Sequence, residues 1–109
     1  MVAYIPERGD VVWLDFDPQK GNEIKKIRPA IVLSTYKYHL KSNLALFVPI
    51  TSQIKGYPFE VIINIDSING AVLCDQIRSM DFKARKAKKI LSLNNSLVDE
   101  ILYKSKLLL

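Results

Sequence analysis

One histidine, one cysteine and four glycines are all that this chain of 109 residues holds of those types. A lone His39 rules out a histidine pair working as acid and base, and His39 with Cys74 cannot make a zinc cluster. A single cysteine also excludes an intrachain disulfide and gives no sign of an oxidising compartment. The glycines are too few and too scattered for a P-loop or a dinucleotide-binding turn. No apolar run approaches the ~20 residues that span a bilayer. The first residues, Met1-Val2-Ala3-Tyr4-Ile5-Pro6-Glu7-Arg8, lack the basic and apolar regions of a secretory signal, so a cytoplasmic protein is expected. There is no repeat, low-complexity tract or linker.

What is present is ordinary globular material with a basic bias. Nearly half of the residues are hydrophobic (49%), 25% are charged, and the net charge is +5. The length predicts one domain over residues 1–109, burying roughly two-thirds of its unfolded surface. The positive balance favours a polyanionic partner, either nucleic acid or an acidic protein segment.

Short β-prone runs dominate the pattern. Residues 11–16 form an apolar run between Gly9-Asp10 and Asp17-Pro18, which predicts a strand. A long polar loop, 17–28, leads to a second strand over 30–35, with Pro29 at its entrance. Residues 36–43 are polar and aromatic and predict about one helical turn. Residues 44–50 are nearly all apolar, as in a strand buried on both faces. Phe59, Val61, Ile63 and Ile65 alternate with Glu60, Ile62 and Asn64. Asn69-Gly70 supplies turn chemistry before residues 71–76, so 59–76 is expected to be a hairpin with a longer-than-minimal loop. A short strand is expected at 90–93. Ser96 with Asp99 and Glu100 resembles a capping box opening a C-terminal helix, with Leu97, Val98, Ile101, Leu102, Leu108 and Leu109 on its apolar face. The sum is a mostly β (α+β) domain: a small, strongly bent sheet or barrel with a short helical insertion and a C-terminal helix.

Chemistry is sought at strand ends. Arg28 precedes Pro29 and the run Ala30-Ile31-Val32-Leu33-Ser34, while Val48-Pro49-Ile50 ends in Thr51 and Ser52. A guanidinium and a hydroxyl on neighbouring strands can share one anionic group, and a phosphate suits both. Arginine, with a pKa above ~12, is suited to neutralising charge rather than moving protons. Glu23 or Asp75 would accept a proton. The competing reading makes all four ordinary strand-end polar groups and surface ion pairs. His39 is expected on the solvated surface, Cys74 as an inert core thiol and Trp13 in the core. Tyr57-Pro58-Phe59 could offer an aromatic surface. The basic tract 83–89, with Lys25, Lys26 and Lys55, is either a solvated face or a polyanion-attracting one.

The chain also resembles the MazF/PemK family of toxin–antitoxin ribonucleases. Gly9-Asp10-Val11-Val12-Trp13-Leu14-Asp15-Phe16-Asp17-Pro18 is similar to the family's opening strand and loop. Gly21-Asn22-Glu23 leading into Arg28–Ser34, then Val48–Gln53, Gly56–Val61 and Cys74–Ser79, follow in family order. The resemblance implies a small SH3-like, strongly bent antiparallel β-barrel and a homodimer. It further implies a sequence-specific, metal- and cofactor-independent endoribonuclease acting on single-stranded RNA, held in check by a cognate antitoxin with an acidic, disordered tail. DNA would be met only through the antitoxin complex. By the same resemblance the catalytic residues are Arg28, Thr51 and Glu23. RNA would be bound by Phe16, Asp17, Lys20, Asn22, Ser52, Gln53, Lys55, Asp75 and Gln76. Asn22 and Leu73 stand where one plasmid-borne branch has His and Arg, which leaves the simpler Arg–Thr arrangement. The alternatives are a CcdB-like gyrase-poisoning toxin and a non-catalytic SH3-like RNA-binding module.

Overall fold

Seven short strands and two helices make up the computed structural model, which describes residues 3–16 and 27–109. The strands are β1 (Asp10–Asp15), β2 (Ile27–Val32), β3 (Leu44–Thr51), β4 (Glu60–Ile65), β5 (Ile68–Leu73), β6 (Arg78–Asp81) and β7 (Lys88–Ser92); the helices are α1 (Tyr36–Ser42) and α2 (Asn95–Lys106). All pairings are antiparallel, in the order β4-β5-β3-β2-β1-β7, with β6 also on β3.

The longest strand, β3, sets the curl. One edge pairs with β2. Along the other edge, Leu44–Phe47 take β6, whereas Ile50 and Thr51 take β5. A strand that changes partner midway bends the sheet around itself, giving a curled half-barrel.

Period-two alternation divides the buried residues between two cores. Val11, Ile31, Val48 and Ile50 share one cluster with Val61, Ile63 and Val72, and Val98 and Ile101 of α2 cover it. Val12, Leu14, Ala30, Val32 and Phe47 form the other with Met80 and Phe82. The bent mostly-β sheet with a C-terminal helix expected from the sequence is therefore present.

Several local expectations are corrected. Of the expected loop 17–28, residues 17–26 lie outside the described residues, and Ile27 and Arg28 belong to β2. Pro29 is the third residue of that strand, which ends at Val32 rather than at residue 35. The insertion is a seven-residue helix, stopped by Asn43 in a left-handed conformation (φ 61°). The hairpin turn is the two residues Asp66-Ser67, between the paired Ile65 and Ile68, with Asp66 at φ 52°. Asn69 and Gly70 lie inside β5 instead. Gly70 is there for space: a Cβ would stand 2.1 Å from the carbonyl oxygen of Thr51. Asn94, not Ser96, caps α2, its side chain accepting the Leu97 N–H at 2.9 Å. Leu108 and Leu109 fall beyond the helix and are exposed. The sequence showed no sign of β6, because only Met80 of its four residues faces inward.

His39 is the largest correction. It is fully buried. The Pro6 carbonyl can only accept, so His39 Nδ1 carries the proton and donates to it at 2.6 Å. Nε2 then accepts the Ser34 hydroxyl at 2.6 Å, and Ser34 Oγ in turn accepts the Leu46 N–H at 2.8 Å. One inward position on an otherwise polar helix ties the N-terminal segment to β3.

Candidate active site

Arg28 is the second residue of β2 and Thr51 the last of β3. The β2–β3 register pairs Val32 with Phe47 and Ala30 with Pro49; Arg28 and Thr51 each lie two residues beyond the last of these pairs, at the same end of the two strands. Residues two apart on a strand share a face, so Arg28 falls on the face of Ala30 and Thr51 on that of Pro49, the partner of Ala30. Both line an open cleft of about 370 Å³, together with Trp13, Ser52, Gln53 and Asn69. Ala71 of β5 pairs with Thr51 on its other side, and the missing side chain at Gly70 lets β5 approach that closely.

Both groups retain hydrogen-bond donor capacity in the cleft. Thr51 Oγ1 accepts the Gln53 N–H at 3.1 Å, which leaves its hydrogen to be offered elsewhere. Arg28 is exposed, and among the described residues no carboxylate pairs with it. A forked cation and a hydroxyl donor at one mouth suit a tetrahedral oxyanion.

A second cleft, of about 240 Å³, adjoins the first. It is lined by Lys55, Tyr57, Asp75 and Gln76, and it shares Thr51 and Gln53 with the first. Thr51 is thus the ridge between the two. The Tyr57 hydroxyl donates to Asp75 Oδ2 at 3.1 Å. That hydrogen bond, with the carboxylate's charge, holds the Tyr57 pKa above its ordinary value. The wall is organised from below by Glu60, whose buried carboxylate accepts the N–H groups of Lys55 (3.3 Å), Gly56 (3.1 Å) and Tyr57 (3.4 Å).

Of the residues named from the sequence, Arg28, Thr51, Ser52 and Gln53 meet in the first cleft, and Lys55, Asp75 and Gln76 in the second. Asp17, Lys20, Asn22 and Glu23 lie outside the described residues. Phe16, named for RNA binding, is only 8% exposed and sits in the second core, with the Arg78 guanidinium 5.8 Å from its ring centroid. It has no open face for a base. Cys74 is buried, and burial pushes its thiol up to about 11, as suits an inert core cysteine. Among the described residues no three His, Cys, Asp or Glu side chains are grouped to hold a metal ion.

Sequence reasoning missed Trp13, which is 40% exposed and forms a wall of the first cleft. Nothing in its local run signals this. Its exposure comes from its cross-strand neighbours, Pro29 and Lys88, which leave the indole uncovered. Asn69 was missed because the turn was expected there.

Fold and cleft together define a small curled-sheet protein with one arginine and one threonine in the wall of an open cleft. The family model for the PemK-like, MazF-like toxins of type II toxin–antitoxin systems matches residues 7–109, and the chain belongs to that family. It is 48% identical over 86 residues to the endoribonuclease toxin MazF of Escherichia coli K12, covering 79% of this chain and 78% of that one. It is 35% identical over 102 residues to the endoribonuclease toxin ChpB of the same strain, covering 88% and 87%. Among solved structures, a MazE–MazF complex from Deinococcus radiodurans superposes with a TM-score of 0.89 at 38% identity, over 97% of this chain and 96% of that one.

Proposed function

We propose that this chain is an endoribonuclease toxin that cuts single-stranded RNA by letting the substrate attack itself. The observation that carries this reading is the meeting of Arg28 and Thr51, from the neighbouring strands β2 and β3, in the lining of one open cleft. A ribose 2′-oxygen forms the new bond to phosphorus, the bond to the 5′-oxygen breaks, and that oxygen takes a proton from water as it leaves. The products are a 2′,3′-cyclic phosphate and a 5′-hydroxyl. The phosphorane between them gathers charge on its nonbridging oxygens, and Arg28 and Thr51 stabilise that charge. The cleft contributes by holding the 2′-oxygen in line with the leaving group. The proton from the 2′-OH passes to Glu23 or Asp75; Asp75 stands in the cleft on the far side of Thr51. A nucleophile belonging to the sugar explains a preference for RNA over DNA.

Family membership and relatives named as endoribonuclease toxins disfavour the gyrase-poison and non-catalytic readings. Relatives crystallised with an antitoxin support a cognate antitoxin as partner, its acidic tail competing with RNA for basic surface. We propose a homodimer as well. Its natural surface is the apolar groove of about 360 Å³ lined by Leu33, Leu46, Ile77 and Leu102 with the exposed Leu109.

The test is digestion of a long, defined RNA in excess chelator, with the fragment ends mapped. Cyclic phosphate and 5′-hydroxyl ends at recurring sequences are expected. Ends carrying 5′-phosphate, or intact RNA, overturn the proposal.

A further inference from the structure

Trp13 has a cleft on each side. Beyond the one it shares with Arg28 and Thr51 lies another, of about 270 Å³, between β1 and β7, lined by Trp13, Leu14, Ile27, Arg85, Lys86 and Lys88 with Asp15. Lys88 is the direct cross-strand partner of Trp13, so its side chain emerges beside the indole. Lys86 is brought to the same wall by the tight turn before β7, where its own backbone is left-handed (φ 56°).

The cations here differ in their engagements. Lys89 faces Asp10 at 3.5 Å. Arg85 directs Nη1 at the carbonyl oxygens of Phe16 (2.6 Å) and Asp15 (3.3 Å) and serves the fold. Lys86 and Lys88 are exposed, and neither meets a carboxylate among the described residues. Asp15 is the one acid of the wall; it is buried and has interactions of its own.

We propose that this third cleft, between β1 and β7, is a seat for a nucleotide flanking the cut site: its base stacks on the Trp13 indole and its phosphate lies between Lys86 and Lys88. The inference rests on the RNA-cleaving reading and extends it. A part-exposed indole beside ammonium groups is the composition that holds single strands without reading their sequence. RNA is favoured over an acidic peptide because the indole is a shared wall: a chain seated at Arg28 and Thr51 passes over it into the third cleft.

The test uses an RNA that the wild type cuts, made resistant by one 2′-deoxy sugar at the cut site. Because Trp13 is the only tryptophan, intrinsic fluorescence reports on it directly. The double variant Lys86→Asn, Lys88→Gln removes both charges and keeps a residue that tolerates the left-handed backbone at 86; its thermal melt confirms folding. Loss of the one phosphate held between the two lysines, at ~0.7 per phosphate for single strands, flattens the plot of log Kd against log salt by about 0.7. Shortening the RNA from one end abolishes both the lysine effect and part of the tryptophan response at the same length. An unchanged salt slope in a folded double variant overturns the proposal, as does a variant that weakens polyglutamate binding and not RNA binding. If the wild type cuts no RNA, the function itself fails, which is a separate result.

Discussion

Two pairs of side chains in this protein are alike in kind and opposite in duty. Ser34 with His39, and Thr51 with Arg28, each join a hydroxyl to a nitrogen-bearing side chain. In the first pair every polar atom is matched: the ring bridges Pro6 and Ser34, the hydroxyl also accepts from Leu46, and the pair is sealed from solvent. In the second pair the hydroxyl has one backbone partner, the guanidinium has no described carboxylate partner, and both border an open cleft. A satisfied polar network holds a fold together. An unsatisfied, accessible one is available to a ligand.

The comparison breaks if the duties can be exchanged. The largest expected effect is on chemistry: Arg28→Ala lowers the single-turnover cleavage rate by ~10²–10³ while the melting temperature stays near wild type. Full activity in excess chelator removes Arg28 from the mechanism. His39→Ala does the reverse. It leaves Ser34 and the Pro6 carbonyl short of a partner around a cavity, and costs about 3 kcal/mol in urea unfolding. Cleavage per folded molecule is retained, and a rate loss at unchanged stability contradicts the scaffold role.

Gly70→Ala sits between the two regions. Its methyl would press on the Thr51 carbonyl from 2.1 Å, so it costs about 1–3 kcal/mol and also lowers the rate by shifting Thr51. A stable and fully active variant shows that β5 does not position Thr51. The smallest effect concerns Cys74, whose pKa of about 11 exceeds the ordinary 9.0 because the thiol is buried. The folded state therefore holds this proton more tightly. The stabilisation is complete below pH 9.0 and is lost as pH rises through about 11. At about pH 8 two units correspond to ~100-fold less thiolate, so alkylation in buffer is slower than in urea by at least that factor. Equal rates place Cys74 at the surface.

How much of this was legible in the sequence depended on whether a signal was local. Alternation in 59–65 and the apolar run 44–50 gave β4 and β3 because burial imposes a period on the strand itself. Arg28 and Thr51 were legible because each ends or begins such a run. Gly70 was correctly marked as special for the wrong reason: Asn-Gly is turn chemistry, yet the constraint is the approach of Thr51 from another strand, and Asp66 makes the turn. Glu60 read as the polar half of an alternation, but three backbone N–H groups from the 55–57 segment draw its carboxylate inward. Trp13 and His39 were misplaced in opposite directions, Trp13 out of the core and His39 into it. In both cases the deciding neighbours are distant in the chain, namely Lys88 for Trp13 and Pro6 for His39.

The central claim is that Arg28 and Thr51 stabilise charge while the substrate supplies its own nucleophile. The most direct measurement uses two RNAs of identical sequence, one with a single 2′-deoxy sugar at the nucleotide preceding the mapped cut. The account predicts cleavage of the first and none at that bond in the second, with binding of both retained. Cleavage at the deoxy-substituted bond would contradict it.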